Sequence, residues 1–331
     1  FSWDLRLVVQ RESDVFYVLD KKCYDLDYDG IGDKKCRVVM EPVLSVTPGT
    51  MRNRNLAMEL VRVTEAAAMA SLVRDWGAQG VGVNCTDGPM NVFTACEAML
   101  AALGEAFGRI ARDRSIRAVV LAAKGPAFCA GHDLKEMTAH RSDSDRGRAY
   151  FVDLFTRCAT LMQAIVHLPQ PVIAAVHATA TAAGCQLVAT CDLAVAARTA
   201  SFGTTGINVG LFCSTPMVAL SRNVGRKQAL EILLTGDMIS ADDAFRMGLV
   251  NRLSEPGAEY DAAVEMARKI AAKSAPVIKV GKEAFYRQLE MGLAEAYRYA
   301  GEVMVENMLA RDAEEGIAAF VEKRPPRWED Q

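Results

Sequence analysis

From about residue 90 onward, apolar positions along the chain alternate between two periods. In residues 93–112, FTACEAMLAALGEAFGRIAR, the residues Met99, Leu100, Leu103, Phe107 and Ile110 recur at helical spacing. AVVLAA at 118–123 is then a continuous apolar run of strand length. GPAFCAGHDL follows as a glycine-punctuated turn, and RAYFVDLFTRCATLMQAIVHL at 148–168 as a long amphipathic helix. PVIAAVHA at 171–178 predicts a second buried strand, GCQLVATC a short buried helix, DLAVAA a third strand, and ASFGTTGINVGL a glycine-rich loop. After Arg226 the pattern predicts helices only: RKQALEILLTG, then SADDAFRMGLV with Ser240 as N-cap, then 260–273, 277–289 and 293–309, before a basic EKRPPRW tail. Strands alternating with helices, followed by helices alone, predict an α/β core with a helical C-terminal subdomain.

The first eighty or so residues break this rhythm and are read as a separate, atypical segment. The division is therefore 1–79, a core at 80–255, and the helical part at 256–331. Within the first segment, Asp25, Asp27, Asp29, Gly30, Ile31 and Asp33 have the spacing of an EF-hand-like calcium loop, but Cys36 stands where that loop carries a bidentate Glu. A thiol is a poor ligand for calcium, so a plain acidic turn is preferred and no metal site is expected. The aspartate-rich DLDYDGIGDKKC also resembles the calcium repeats of thrombospondins. Residues 51–71 form an Ala-rich helical stretch resembling the first helix of class II fructose-1,6-bisphosphatases, and GVGVNC at 80–85 could serve as a strand. None of these fragments brings the remaining ligands of a site with it.

Bulk properties narrow the function classes. Of 331 residues, 51% are hydrophobic and 24% charged, which predicts an ordered globular chain. The formal net charge of −3 supplies no general basic field for nucleic acid or an anionic membrane, so an anionic ligand must be held by local groups. No run approaches the ~18 apolar residues of a membrane span, and the stretch opening at Phe1 has no basic-then-apolar leader pattern. The nine cysteines lack paired metal spacing, and Cys129, Cys158, Cys185, Cys191 and Cys213 sit mostly in apolar runs as small hydrophobes. A reduced intracellular setting follows as the expectation: the cytoplasm, or the mitochondrial matrix in a eukaryote.

Two turns carry candidate chemistry. In AFCAGHDLKEM, Gly131 permits a tight turn and Asp133 can cap the helix behind it; in TAAGCQL, small residues before Gly184 lead into another helix N-terminus. Such turns present backbone N–H groups and suit an oxyanion, although a plain β–α turn looks the same in sequence. Other groups have structural readings. Cys213 has no nearby His and reads as a structural thiol; Asp133, Asp192, Asp237 and Ser240 read as caps or structural groups; His167 and His177 flank an apolar strand as core or boundary histidines.

Taken in order, AFCAGHDLKEM, PVIAAVHATATAAGCQLVATCDLAVAA, SFGTTGINVGL and LLTGDMISADDAFRMGLVNRL resemble the signature segments of the crotonase (enoyl-CoA hydratase/isomerase) superfamily over residues 90–328. GHDL, ATAAGCQLVA and VGLFCSTP resemble the subgroup of enoyl-CoA hydratase domain-containing protein 3 and its bacterial relatives. The resemblance implies a spiral of β-β-α repeats. It also implies an oxyanion hole from the backbone N–H groups of His132 and Ala183 around an acyl-CoA thioester carbonyl. Gln186 and Gly206 stand at the positions of the two glutamates that activate water in hydratases. The expectation is therefore thioester polarisation without the usual general acid and base, in an altered enzyme or a catalytically silent acyl-CoA binder. Gln186→Glu together with Gly206→Glu is expected to raise hydration, unless the loop at Gly206 has a positive φ that cannot accept a side chain.

By the same resemblance Ala127, Cys129, Ala130 and Gly131 run along the adenine and pantetheine of CoA, with Lys135 at the rim. Met304 and Lys323 reach the nucleotide from the C-terminal helices. The CoA thioester is substrate or ligand and no cofactor is permanently bound. A homotrimer or hexamer is expected, assembled through the helical C-terminal third.

Overall fold

The computed structural model describes residues 4–11, 15–23, 36–44 and 95–330. Its core is a β-β-α unit repeated along the chain, the spiral expected above. The first unit comprises β4 (Ile116–Lys124), β5 (Ala127–Cys129), α2 (Leu134–Ala139) and α3 (Arg148–His167); it follows β1 (Asp4–Arg11), β2 (Val15–Cys23), β3 (Cys36–Leu44) and α1 (Ala95–Ile110). The second is β6 (Val172–Val176), β7 (Thr179–Thr181) and α4 (Ala183–Thr190). The third is β8 (Leu193–Ala197), β9 (Ser201–Gly203), a 3-10 turn at Thr205–Val209, α5 (Ser214–Asn223) and α6 (Arg226–Thr235). Then come β10 (Ile239–Ser240), α7 (Ala241–Met247), β11 (Arg252–Ser254), α8 (Glu259–Ala271), α9 (Ala275–Gln288), α10 (Leu293–Met308) and α11 (Arg311–Glu322).

The long strand of each unit enters one sheet, ordered β1-β4-β6-β8-β11, and the short strand enters another, ordered β10-β9-β7-β5. Pairing is parallel from β4 through β6 and β8 to β11, and from β5 through β7 to β9. The first sheet is apolar on both faces, as parallel sheets covered on both sides are. Val119 and Leu121 with Val172, Ala174 and Val176 join the main core under α1 and α3. The alternate residues Ala118, Val120, Ala122, Ile173, Ala175 and Val195 meet Ala263, Val264, Met266 and Ala267 of α8. Hence the uninterrupted apolar runs in the sequence.

Several elements depart from the sequence reading. The three-residue strands β5, β7 and β9 were hidden within apparent turns and loops, because strands this short show no period. The helices α5 and α11 were also missed, one behind the glycine-rich loop and the other before the basic tail. Asp4–Arg11, taken as part of a separate segment, pairs antiparallel with β4 from Asp4 opposite Lys124, and so occupies that edge of the sheet. The acidic loop at 25–33, the Ala-rich stretch at 51–71, the strand at 80–85 and the boundary at 79 lie outside the described residues. Among the described residues one helix, α3, is long and apolar enough by length and composition to cross a membrane. Its stripe of Leu154, Cys158, Leu161, Met162 and Ile165 is buried in the core.

Asp192, expected to be a cap, instead ties the helical subdomain to the sheet. Its Oδ2 accepts from Lys282 Nζ at 2.7 Å and from the Val172 N–H at 2.7 Å; Oδ1 accepts from the Tyr286 hydroxyl at 2.8 Å. Lys282 Nζ also donates to the carbonyls of Ile165 (2.9 Å) and Gln170 (3.1 Å), so α9 is joined to the end of α3, the start of β6 and the turn after α4. The Lys282 side chain is 7% exposed and that of Asp192 13%. Burial pulls the Lys282 pKa down while the Asp192 carboxylate opposes the shift, and burial pushes the Tyr286 hydroxyl far up. Removing one member of such a pair leaves the other charge buried and unpaired. Lys282→Met is expected to lower unfolding free energy by about 3–5 kcal/mol, while the double variant Lys282→Met/Asp192→Asn loses less than the single. Denaturant titration of the single and double variants checks this; additive losses would show that the pair is not coupled.

Candidate functional site

Because β5 and β7 run parallel, with Ala127 opposite Thr179 and Cys129 opposite Ala180, their C-terminal ends open on the same side. Past β5 the chain turns at Gly131, φ +96°, through His132 into α2. Asp133 caps that helix as expected, accepting from the Lys135 N–H at 2.7 Å and the Glu136 N–H at 3.3 Å. Such a cap contributes about 1 kcal/mol and fixes the direction in which the turn leaves the strand. Past β7 the chain turns at Ala182, φ 51° and ψ −120°, into α4. An alanine there carries roughly 1–3 kcal/mol of backbone strain. The Ala182 N–H donates to Gly203 O at 3.0 Å and its carbonyl accepts from the Gln186 N–H at 3.0 Å, which holds the conformation.

The two turns are pressed together. A Cβ on Gly184 would lie 2.0 Å from Cys129 O, so only glycine lets α4 start this close to the end of β5. A Cβ on Gly131 would lie 2.8 Å from Ala182 Cβ and 3.5 Å from Ala183 N. Ala183 opens α4 with no side-chain cap on that helix, and the first N–H groups of a helix have no acceptor within it. Neighbouring turns of this construction can direct N–H groups at one carbonyl or anionic oxygen.

Around them the polar groups are few. Gln186, 4% exposed, has its Oε1 buried without a protein hydrogen-bond partner among the described residues. A buried acceptor of this kind calls for a polar group from solvent or ligand. An amide there can orient such a group but cannot exchange a proton with it. Burial pulls the His132 pKa down, so its imidazole is neutral at pH 7, and the ring packs edge-on against Phe155 with centroids 5.8 Å apart. At Gly206 the backbone φ is not in the left-handed region, so φ does not bar a side chain there. The obstacle is steric: a Cβ would lie 2.6 Å from Leu211 O and 2.7 Å from Cys213 Sγ. Burial raises the Cys213 thiol above its ordinary value, so it stays protonated, in line with a structural role. Neighbouring Cys185 is pushed up to about 12 by burial.

Of the residues expected along CoA, Ala127 and Cys129 belong to β5, and Ala130 and Gly131 form the turn after it. Lys135 is exposed on α2 beside that turn. Met304 is exposed on α10 and Lys323 caps the end of α11 at φ 55°, on helices that pack against each other. Both side chains lie on the surface of these C-terminal helices. His177 is a boundary residue, Nε2 lying 2.9 Å from Gly125 O, and Ser240 caps α7 through the Asp243 N–H at 3.1 Å. The sequence reading missed Ala182 and Phe155. A run of six small residues before Gly184 was the signal for the first, and a Phe on the outer side of an amphipathic helix for the second. It also missed the Thr181–Thr205 hydroxyl pair, 3.2 Å apart beside Ala182 and Gly206, which no spacing would reveal.

The model of the enoyl-CoA hydratase/isomerase family matches residues 78–331. Rat (Rattus norvegicus) mitochondrial enoyl-CoA hydratase domain-containing protein 3 is 46% identical over 231 residues, 70% of this chain and 75% of the relative. An enoyl-CoA hydratase crystal structure from Mycobacterium smegmatis superposes with a TM-score of 0.67 at 56% identity, covering 76% of this chain and 95% of that one. The crystal structure of human enoyl-CoA hydratase domain-containing protein 3 gives 0.66 at 46% identity, covering 70% and 89%. With its repeated β-β-α units and two apposed turns, the chain belongs to the enoyl-CoA hydratase/isomerase family, the crotonase superfamily.

Proposed function

We propose that this chain binds an acyl-CoA thioester and polarises its carbonyl between the backbone N–H groups of His132 and Ala183, without the two carboxylates that hydratases of the superfamily use. Members of the family bind acyl-CoA, use CoA thioesters as substrates and typically need no further cofactor. The observation that carries the reading is the contact of Gly184 with the Cys129 carbonyl, which brings the two turns together. Fixed backbone dipoles aimed at the thioester oxygen would favour negative charge there, as in an enolate, and lower the barrier at the carbon beside the carbonyl.

Proton transfer is the missing half. Gln186 can hold a water or a substrate oxygen, Gly206 offers no side chain, and the neutral His132 ring is engaged with Phe155. Addition of water to an enoyl thioester, which needs a base and an acid in place, is therefore weak in this reading. A catalytically silent acyl-CoA-binding or assembly protein is the second reading. It is favoured by the closed space at Gly206, where Leu211 and Cys213 occupy the volume a glutamate would need.

For the CoA moiety, the stretch Ala127, Cys129, Ala130 and Gly131 is assigned to adenine and pantetheine, Lys135 to the rim, and Met304 and Lys323 to the nucleotide. A lysine serves a phosphate as a point charge. Family members usually oligomerise. A homotrimer or hexamer is supported by exposed apolar residues on the C-terminal helices: Leu293, Tyr297, Val305, Phe320 and Val321. The relative from rat is named as mitochondrial, which supports the matrix rather than the cytoplasm as the setting.

Three outcomes are expected. Calorimetry with acetyl-, crotonyl- and longer acyl-CoA should give binding and a rise in melting temperature that grows with ligand concentration; no heat and no shift across the panel would overturn the reading. Crotonyl-CoA hydration should be very slow or absent, and Gly206→Glu, alone or with Gln186→Glu, should destabilise the loop without restoring it. Hydration at the rate of an ordinary hydratase in the native chain contradicts the proton-transfer argument, and the same rate in the double variant contradicts the steric argument at Gly206. Gly184→Ala should cost about 1–3 kcal/mol or more from overpacking and weaken acyl-CoA binding, measured by denaturation and calorimetry; unaltered binding would separate the two turns from the ligand.

A further inference from the structure

The ring of His132 touches Phe155 on α3, and from that point an apolar stripe runs along the helix toward its N-terminus. Phe155 is 37% and Val152 59% exposed, and with Phe151, Ala159 and the polar Thr156, Thr160 and Gln163 they line a solvent-open cavity of about 770 Å³ along α3. At the far end the same cavity is lined by Arg146 and Arg148. Carboxylates close to them are committed elsewhere. Asp143 meets His140 Nδ1 at 2.8 Å, Asp145 accepts from the Gly147 N–H (3.0 Å) and the Ala149 N–H (2.8 Å), and Asp153 pairs with Arg157 at 2.8 Å. Among the described residues neither the Arg146 nor the Arg148 side chain has a hydrogen-bond or ion-pair partner.

We propose that this cavity takes the acyl chain, and that Arg146 and Arg148 select acyl groups ending in a carboxylate, the mono-CoA thioesters of dicarboxylic acids. The inference rests on the reading that the thioester carbonyl sits at His132 and Ala183. Seven residues separate Phe155 from Arg148, about 10 Å at the helical rise; the 5.8 Å between the His132 and Phe155 rings lengthens the path from the carbonyl, and the reach of an extended arginine side chain shortens it by about as much. At roughly 1.2 Å per extended backbone bond, that span matches an acyl chain of about eight carbons. A planar guanidinium donates paired N–H bonds to a carboxylate, and two beside each other compensate both its oxygens. A methyl terminus of the same length would lie against the guanidinium groups and strip water from them with no return, so selection works against the plain fatty acyl group as well as for the acid.

The test compares octanedioyl-CoA with octanoyl-CoA and free CoA by calorimetry, using the full chain and its Arg146→Gln/Arg148→Gln variant. The native chain should bind octanedioyl-CoA about tenfold more tightly than octanoyl-CoA, as expected of charge-assisted hydrogen bonds that are partly open to solvent. The variant should bind the two alike, with octanoyl-CoA bound somewhat more tightly than by the native chain and free CoA bound as before. Equal binding of the two thioesters by the native chain overturns the proposal. So does a variant that weakens free CoA and both thioesters together, because that result puts the arginines on the phosphates of CoA. If the variant does not fold, the native preference decides through its salt dependence: it should shrink as ionic strength rises, and a preference indifferent to salt rejects the arginines as its source. Failure of every CoA thioester to bind is a different result, which removes the functional reading and this inference with it.

Discussion

Everything at the candidate site depends on the approach of Gly184 to the carbonyl of Cys129. The parallel pairing of β5 with β7 brings two strand ends to the same side, but strand pairing alone leaves room for side chains between the turns that follow. Glycine at 184 removes that room, and glycine at 131 lets the first turn pass against Ala182. The strain at Ala182, held by its hydrogen bonds to Gly203 and Gln186, is the cost of starting α4 where its first N–H faces the neighbouring turn. Backbone geometry, fixed by packing and needing no titratable group, is thus what the site retains.

The surroundings are built to keep that geometry rigid and to keep charge out. Gln186 is neutral, burial holds His132 neutral, and the thiols of Cys185 and Cys213 stay protonated. Among the described residues, a buried ion pair close to α4 lies beyond its other end, where Asp192 gathers Lys282, Tyr286 and the Val172 N–H. That network fixes the C-terminal end of the helix to β6 and α9. A pocket of this character would favour a polarised carbonyl over a transferred proton, as the proposed function requires.

The long buried strands and amphipathic helices were legible in the sequence because each obeys one period over many residues. β6 and β8 read as apolar runs, and α3, α6 and α8 to α10 as periodic stretches, with boundaries shifted by a few residues at most. The strands β5, β7 and β9 were not legible, although they carry the site, because three residues cannot display an alternation. Of the site itself, Gly131, Asp133 and Gly184 were readable as turn and cap chemistry. The family pattern added His132, Ala183, Gln186 and Gly206. The steric closure at Gly206 and the arginines facing an open apolar stripe depend on residues distant in sequence or on neighbours' commitments, which no local pattern records. Asp192 was misread for the same reason: its partners lie 20, 90 and 94 residues away.

The account stands on the polarisation of a thioester carbonyl by the two backbone donors. The most direct measurement is isotope-edited infrared difference spectroscopy of an acyl-CoA carrying a carbon-13 label at its carbonyl, bound to the full chain. Hydrogen bonds from His132 and Ala183 predict a carbonyl stretch displaced to lower frequency than that of the same thioester in water. A bound thioester whose carbonyl absorbs at its solution frequency would contradict the account.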